Sequence, residues 1–276
     1  MTILVAGATG TVGRHVVDQL VQKGVKVRAL TRNPLQANLP AGVEAVAGDL
    51  SNPSTLESAL VGVSGLHLIT TGVNYTPLST GPQIIKLAEE AGVRKVTVLW
   101  NGEKGPFEKA VEASSLEWTQ LQAFEFMANA KKWAESIRSE GLVRDLFGGS
   151  RIAPVHEADI GKVAAVALTE DGHVGKVYTL TGPESLSVQD RVEIISEVIG
   201  RKIRFVESSE EEEREQMRRM GVDEDAIEYV INWHLNPPTS AQTVLSTVEE
   251  VTGQKPHTFA EWVKMNAGFF MNTHSI

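Results

Sequence analysis

The chain has 276 residues, 42% of them hydrophobic, with a formal net charge of −9 and no cysteine. That is enough apolar material for a sizeable core, and the missing thiols exclude disulfides, cysteine nucleophiles and cysteine metal sites. An acidic chain without a basic block lacks the Lys and Arg that neutralise nucleic-acid phosphates or an anionic membrane surface, so neither is expected as a partner.

Met1 leads straight into the apolar run Ile3-Leu4-Val5-Ala6, with no basic segment before it. The run is too short for a secretory signal or a membrane span, so a soluble, cytoplasmic chain is expected. Over the first two-thirds, short β-branched runs alternate with helical patterns, as in βα units built around a parallel sheet. Strands are predicted at 3–6, 26–30, 44–47, 66–69, 95–99 and 118–121. Helices are predicted at 12–21, 53–60, 82–90, 107–114 and 124–140, with Gly24, Gly92 and Gly141 placed for C-caps. The pattern changes after Gly141. A short strand is expected at 151–154, a helix at 160–168 capped by Asp159, a strand at 177–180, a helix at 188–199 capped by Ser187, and a strand at 203–206. From Ser209 the chain reads as helices, broken at Pro237-Pro238. Residues 1–150 are thus expected as a core. Residues 151–276 are expected as a mixed, mainly helical region, with part of 142–206 adding strands to the core sheet and the rest capping a substrate cleft.

The first strand runs into Gly7-Ala8-Thr9-Gly10-Thr11-Val12-Gly13 and then a helix. This G-x-x-G-x-x-G spacing suits a dinucleotide. One glycine turns the chain sharply off the strand, one lets backbone approach a pyrophosphate, and one lets helix and strand pack closely. The pyrophosphate would then rest on the helix N-terminus, where N–H groups and the dipole favour negative charge. The expected architecture is therefore an α/β, Rossmann-type doubly wound parallel sheet. A carboxylate at the end of the second strand would select NAD, but the chain reads Leu30-Thr31-Arg32-Asn33 there. The Arg32 guanidinium suits a 2′-phosphate, which favours NADP(H) over NAD(H). Asp49, with Leu50 after it, either accepts from the adenine amino group or caps the turn to Ser51. Thr70, Thr71 and Gly72 end the fourth strand near the crevice where strand order reverses, on the ribose or nicotinamide side.

These residues, together with Gly48-Asp49-Leu50, Leu116-Glu117-Trp118-Thr119, Asp159-Ile160-Gly161, Thr181-Gly182-Pro183-Glu184 and Phe259-Ala260-Glu261-Trp262, give a chain that resembles the NmrA-like, NAD(P)-binding group of atypical short-chain dehydrogenases/reductases over nearly its whole length. The resemblance implies a Rossmann core, NADP binding and a small C-terminal region roofing a substrate cleft. It also implies either reduction of quinones or azo compounds, or a cofactor-sensing role toward a protein partner without turnover.

Ordinary short-chain dehydrogenases use Tyr-x-x-x-Lys, the Tyr as proton donor. The tyrosines here are Tyr75, Tyr178 and Tyr229, and four residues on stand Ser79, Gly182 and Trp233. The motif is absent, which disfavours sugar-nucleotide epimerisation as well as ketone reduction. Hydride transfer to a quinone-like acceptor still works, because the product anion is stable enough to take its proton from water and the protein supplies orientation. Asn101 is a candidate donor to the nicotinamide or to an acceptor oxygen. Lys104, Lys109 and His156 are further candidates, each weighed against an ordinary surface or structural role. Phe124 and Phe126 after the sixth strand, with His156 and the helical pair Tyr229 and Trp233, are the candidate substrate-pocket lining. The run Glu207-Ser208-Ser209-Glu210-Glu211-Glu212-Glu213 reads as a helix start capped by Ser208 or Ser209 and not as a metal site; no metal is expected.

Overall fold

In the computed structural model, which describes residues 1–72, 77–100 and 104–271, the chain packs as two units. One comprises Met1–Phe124, Glu157–Leu180 and Thr247–Gln254; the other comprises Glu125–His156, Thr181–Ser246 and Lys255–Ile276.

In the first unit the elements β1 (Thr2–Val5), α1 (Gly13–Gln22), β2 (Lys26–Thr31), β3 (Glu44–Ala47), α2 (Glu57–Leu60), β4 (Gly65–Ile69), α3 (Gly81–Glu90), β5 (Lys95–Trp100), α4 (Pro106–Ala113) and β6 (Glu117–Ala123) follow in order. The chain then supplies α5 (Ala134–Glu140) and β7 (Leu142–Asp145) to the second unit and returns to the first with α6 (Glu157–Thr169) and β8 (Lys176–Leu180). The second unit takes α7 (Val188–Ile199), β9 (Arg204–Glu207), α8 (Glu210–Arg219), α9 (Glu224–Leu235) and α10 (Thr239–Gln242). Then α11 (Thr247–Thr252) joins the first unit and α12 (Phe259–Asn266) the second.

The first unit is a Rossmann-type α/β fold. Its seven strands lie in the order β3-β2-β1-β4-β5-β6-β8, every pairing parallel. Strand order reverses between β1 and β4, the position at which such sheets bind ligands. The central strands are buried on both faces, which is why β5, Lys-Val-Thr-Val-Leu-Trp, is buried along its whole length. A histidine is buried there without charge. His67 of β4 lies opposite Thr97 and shares a 2.9 Å hydrogen bond with its hydroxyl, and burial pushes its pKa down to about 4. Helix α6 is apolar around nearly its whole circumference because it is buried on all sides. It crosses α1 closely at Gly161, where an added Cβ would come 2.7 Å from the His15 backbone carbon.

The second unit carries a two-stranded parallel sheet, β7 with β9, and a core built around Trp133, Phe147, Ile195, Ile231, Phe259 and Trp262. Near its centre Arg191 pairs with Glu125 at 3.2 Å; both side chains are over nine-tenths buried. The Arg191 guanidinium also lies 5.3 Å from the Trp133 ring centre, and His234 approaches the other Glu125 oxygen at 4.0 Å. Asp145 ends β7 almost fully buried. Burial alone would raise its pKa, but the Lys132 ammonium at 2.9 Å, the Phe147 N–H and the Trp133 indole N–H outweigh it and hold the carboxyl below the usual range.

Several expectations change in three dimensions. One cut at residue 150 does not separate the units, because α6 and β8 return to the parallel sheet while 125–150 belong elsewhere. The strand expected at 177–180 is the one that extends the core sheet. The strand expected at 203–206 runs as β9 and pairs with β7 in a separate sheet. No strand forms at 151–154; only Ile152 bridges, to Leu186. Residues 124–140 are not one helix: they leave β6 extended, take a 3₁₀ turn at Met127–Trp133 and become α-helical only at Ala134. Asp159 lies inside the first turn of α6, which begins at Glu157, and so does not cap it. Ser187 and Ser209 do cap α7 and α8, each in a reciprocal box with the acid three residues on.

Candidate active site

The glycine loop joins β1 to α1 at the switch point. Gly7 turns with φ +63, a conformation that L side chains rarely adopt, and its N-terminal neighbours hold the strand. Its carbonyl accepts from Gly10 N–H at 2.8 Å, closing the loop. Gly13 begins α1 directly against that carbonyl: a Cβ there would lie 2.0 Å from the Gly7 oxygen. At Gly10 the same oxygen would be 3.0 Å away. Thr9, Gly10 and Thr11 are exposed at the loop's crest, whereas Val12 is buried beneath it. No side chain caps α1 and no acid occupies its first turn. The helix N-terminus therefore presents backbone donors and a positive dipole end to an anion. The residues present fit a dinucleotide pyrophosphate.

Around this loop the ends of three strands assemble. Thr31 is half-buried at the end of β2, and Arg32 beyond it is exposed. Asp49 accepts from the Ser51 N–H at 2.9 Å and the Ser51 hydroxyl at 2.7 Å; these bonds, with the nearby Arg32 charge, hold its carboxyl below the usual range. One carboxylate oxygen is thus committed to the turn that follows. Leu50 packs into the core under the sheet, and its carbonyl accepts from Thr80 at 2.6 Å. Thr70 is buried at the end of β4 and its N–H reaches the Leu99 carbonyl of β5. Thr71 bridges to Pro77, and Gly72 is exposed. Ile69 packs beside Gly7, since a Cβ on that glycine would meet its side chain at 3.3 Å. Asn101 and Tyr75 lie outside the described residues.

The structure also places the other candidates. Lys104 forms an ion pair with Glu112 at 2.6 Å, and Lys109 is exposed on α4. Phe124 closes the first unit's β6 segment, half-buried. Phe126, His156, Tyr229 and Trp233 belong to the second unit. There Phe126 bridges to Val155, and buried His156 lies 4.7 Å from the His257 ring. Tyr229 is exposed on α9, whose buried face is Ile227 and Ile231, and Trp233 meets the His234 ring edge-on. Tyr178 shares a 2.8 Å hydrogen bond with His173 at the sheet edge, and no lysine stands at the expected spacing from it. Among the described residues no group of three or more His, Asp or Glu is arranged to hold a metal, and no helix is long and apolar enough to cross a membrane.

Sequence reasoning passed over Arg14. It follows Gly13 directly, and its Nε donates to the Gly10 carbonyl at 3.2 Å. It lines an open cavity of about 710 Å³ with Thr9, Thr31 and Asn33. The signal was in the sequence, a cation one residue after the last glycine. Its bearing needed the loop geometry.

The model of the NmrA-like family matches residues 1–143. The chain is similar to an NAD(P)H azoreductase of Xenophilus azovorans, 33% identical over 97% of this chain and 99% of that protein. It is similar also to a (4-alkanoyl-5-oxo-2,5-dihydrofuran-3-yl)methyl phosphate reductase of Streptomyces griseus, 32% identical over 97% of this chain and 99% of that one. Among solved structures, the triphenylmethane reductase of Citrobacter sp. complexed with NADP(H) matches with a TM-score of 0.79 at 25% identity, covering 96% of this chain and 99% of that one.

Proposed function

The chain belongs to the NmrA-like family, and on that footing we propose that it is a cytoplasmic, NADPH-dependent reductase of a small electron-poor acceptor such as a quinone or azo compound. The observation that carries the reading is the cradle at Gly7, Gly10 and Gly13, where Gly13 closes on the Gly7 carbonyl to a separation that only glycine permits. Supporting it, two related proteins are named as an NAD(P)H azoreductase and as a reductase of a (4-alkanoyl-5-oxo-2,5-dihydrofuran-3-yl)methyl phosphate.

NADPH supplies a hydride when bound. The chain's part is to hold the cofactor and to orient the acceptor. Gly10 to Gly13 receive the pyrophosphate on the N-terminus of α1. Arg32 lies where the adenosine 2′-phosphate is expected, and Thr70 and Thr71 end β4 on the nicotinamide side. No Tyr-x-x-x-Lys pair stands ready to protonate a product. An acceptor whose reduced anion draws its proton from water matches that lack, and an ordinary ketone does not.

Two measurements test this reading. When the protein is mixed with NADPH and a panel of quinones and azo dyes, reduced-cofactor absorbance should fall faster than in protein-free controls. No excess rate with NADPH binding intact would oppose catalysis and favour a cofactor-sensing role. Arg32→Ala should raise the Kd for NADPH by roughly 10- to 100-fold, the cost of losing hydrogen bonds to a charged group. The Kd for NADH should change little. Equal effects on both cofactors would remove Arg32 from the 2′-phosphate.

A further inference from the structure

We infer that Arg14 is a second cation for the adenosine 2′-phosphate, acting from α1 and from the cavity beside the glycine loop, so that the preference for NADPH does not rest on Arg32 alone. The inference builds on the reading that the chain binds NADPH.

Side chains alternate along an extended chain. From the end of β2, Thr31 and Asn33 line the cavity of about 710 Å³, and Arg32 between them does not. The Arg32 charge instead lies near enough to Asp49, which follows β3, to help lower its pKa. The cavity wall carries one cation among its described lining residues, Arg14, together with the hydroxyl-bearing Thr9 and Thr31 and the amide of Asn33. Thr9 places that wall next to the crest of the glycine loop.

Arg14 is held for this task. Its Nε donates to the Gly10 carbonyl at 3.2 Å, which fixes the guanidinium plane beside the loop. The two Nη groups remain as donors in the fork geometry that suits phosphate oxygens. The cavity's described lining also holds one acid, Asp18, one helical turn past Arg14. A carboxylate repels a phosphate dianion, so an anion entering this cavity is drawn toward Arg14 and away from Asp18. The adenosine ribose is expected at the end of β2, where Thr31 lines this same cavity. The phosphate then meets the Arg14 guanidinium from the cavity side, while Arg32, outside that cavity, adds its charge from beyond the end of the strand.

The test uses the full chain and four ligands that differ by one phosphate: NADPH against NADH, and adenosine 2′,5′-bisphosphate against 5′-AMP. Binding is read by calorimetry and cofactor fluorescence. Arg14→Gln should raise the Kd for NADPH and the bisphosphate by about tenfold or more, the scale of a lost charge-assisted hydrogen bond. NADH and 5′-AMP should stay within about twofold on the same scale. Arg14→Lys, which keeps the charge, should recover part of the loss. The side chain is exposed, and an unchanged Tm would show that the variant folds. A loss shared equally by NADPH and NADH would mean that Arg14 only braces the loop through Gly10, and would overturn the inference. So would unchanged NADPH affinity. If the wild-type chain prefers NADPH and Arg32→Ala abolishes that preference while Arg14→Gln does not, this inference fails alone. If the wild-type chain binds neither cofactor or prefers NADH, the underlying reading fails with it.

Discussion

Gly13→Ala should abolish detectable NADPH binding and destabilise the first unit. The added methyl would sit 2.0 Å from the Gly7 oxygen, 2.6 Å from its carbon and 3.0 Å from Ala8 N. All three obstacles are backbone, so no rotamer change relieves the clash. Either α1 withdraws from the loop or Gly7 leaves its φ of +63. Both movements pull the helix N-terminus away from the pyrophosphate position. Overpacking of this kind costs about 1–3 kcal/mol of stability, sometimes more. The binding loss should be larger, because a site built on positioned N–H groups loses all of them together. Gly149→Ala is the control: open space surrounds that glycine and its backbone is ordinary. Calorimetric titration with NADPH and a thermal melt decide the matter. Wild-type affinity in Gly13→Ala would show that the loop tolerates a side chain at its tightest point.

Arg191→Met should destabilise the second unit by about 3–5 kcal/mol, the range for removing one partner of a buried ion pair. The 3.2 Å pair with Glu125 is over nine-tenths buried on both sides. The variant leaves a carboxylate in the core with His234 4.0 Å away. It also loses the guanidinium from the Trp133 ring and an Nε bond to the Ser187 carbonyl. The pair matters through the cost of breaking it. Glu125→Gln combined with Arg191→Met should therefore be more stable than Arg191→Met alone. Urea unfolding of the two single variants and the double variant measures this coupling. A single-variant loss below about 1 kcal/mol, typical of exposed pairs, would mean that water reaches Glu125.

Much of the first unit was legible because its signals are local. Alternation of β-branched runs and helical patterns yields parallel βα units, and six predicted strands appear near their expected places. Ser187, Ser209 and Gly141 act as caps through bonds within a few residues of themselves. Failures came where a segment's conformation depends on distant partners. Residues 124–133 carry apolar residues at helical spacing, yet the backbone pairs with Val155 through Glu125 and Met127 before any helix begins. The strand near 204 has a period that fits any sheet. Only the presence of β7 beside it decided which one.

The site divides in the same way. By itself the sequence determined that a dinucleotide loop follows the first strand, that no acid ends the second, and that no Tyr-x-x-x-Lys pair exists. Residue identity and spacing suffice for those statements, since glycine's freedom and a missing side chain hold in any fold. Only the tertiary structure decided that Gly13 lies against the Gly7 carbonyl, that the Arg32 charge comes near Asp49, and that Arg14 lines the cavity with Thr31 and Asn33. Those are relations between a strand, a loop and a helix. The direction in which each guanidinium points is set by how these elements pack, which no single stretch of sequence contains.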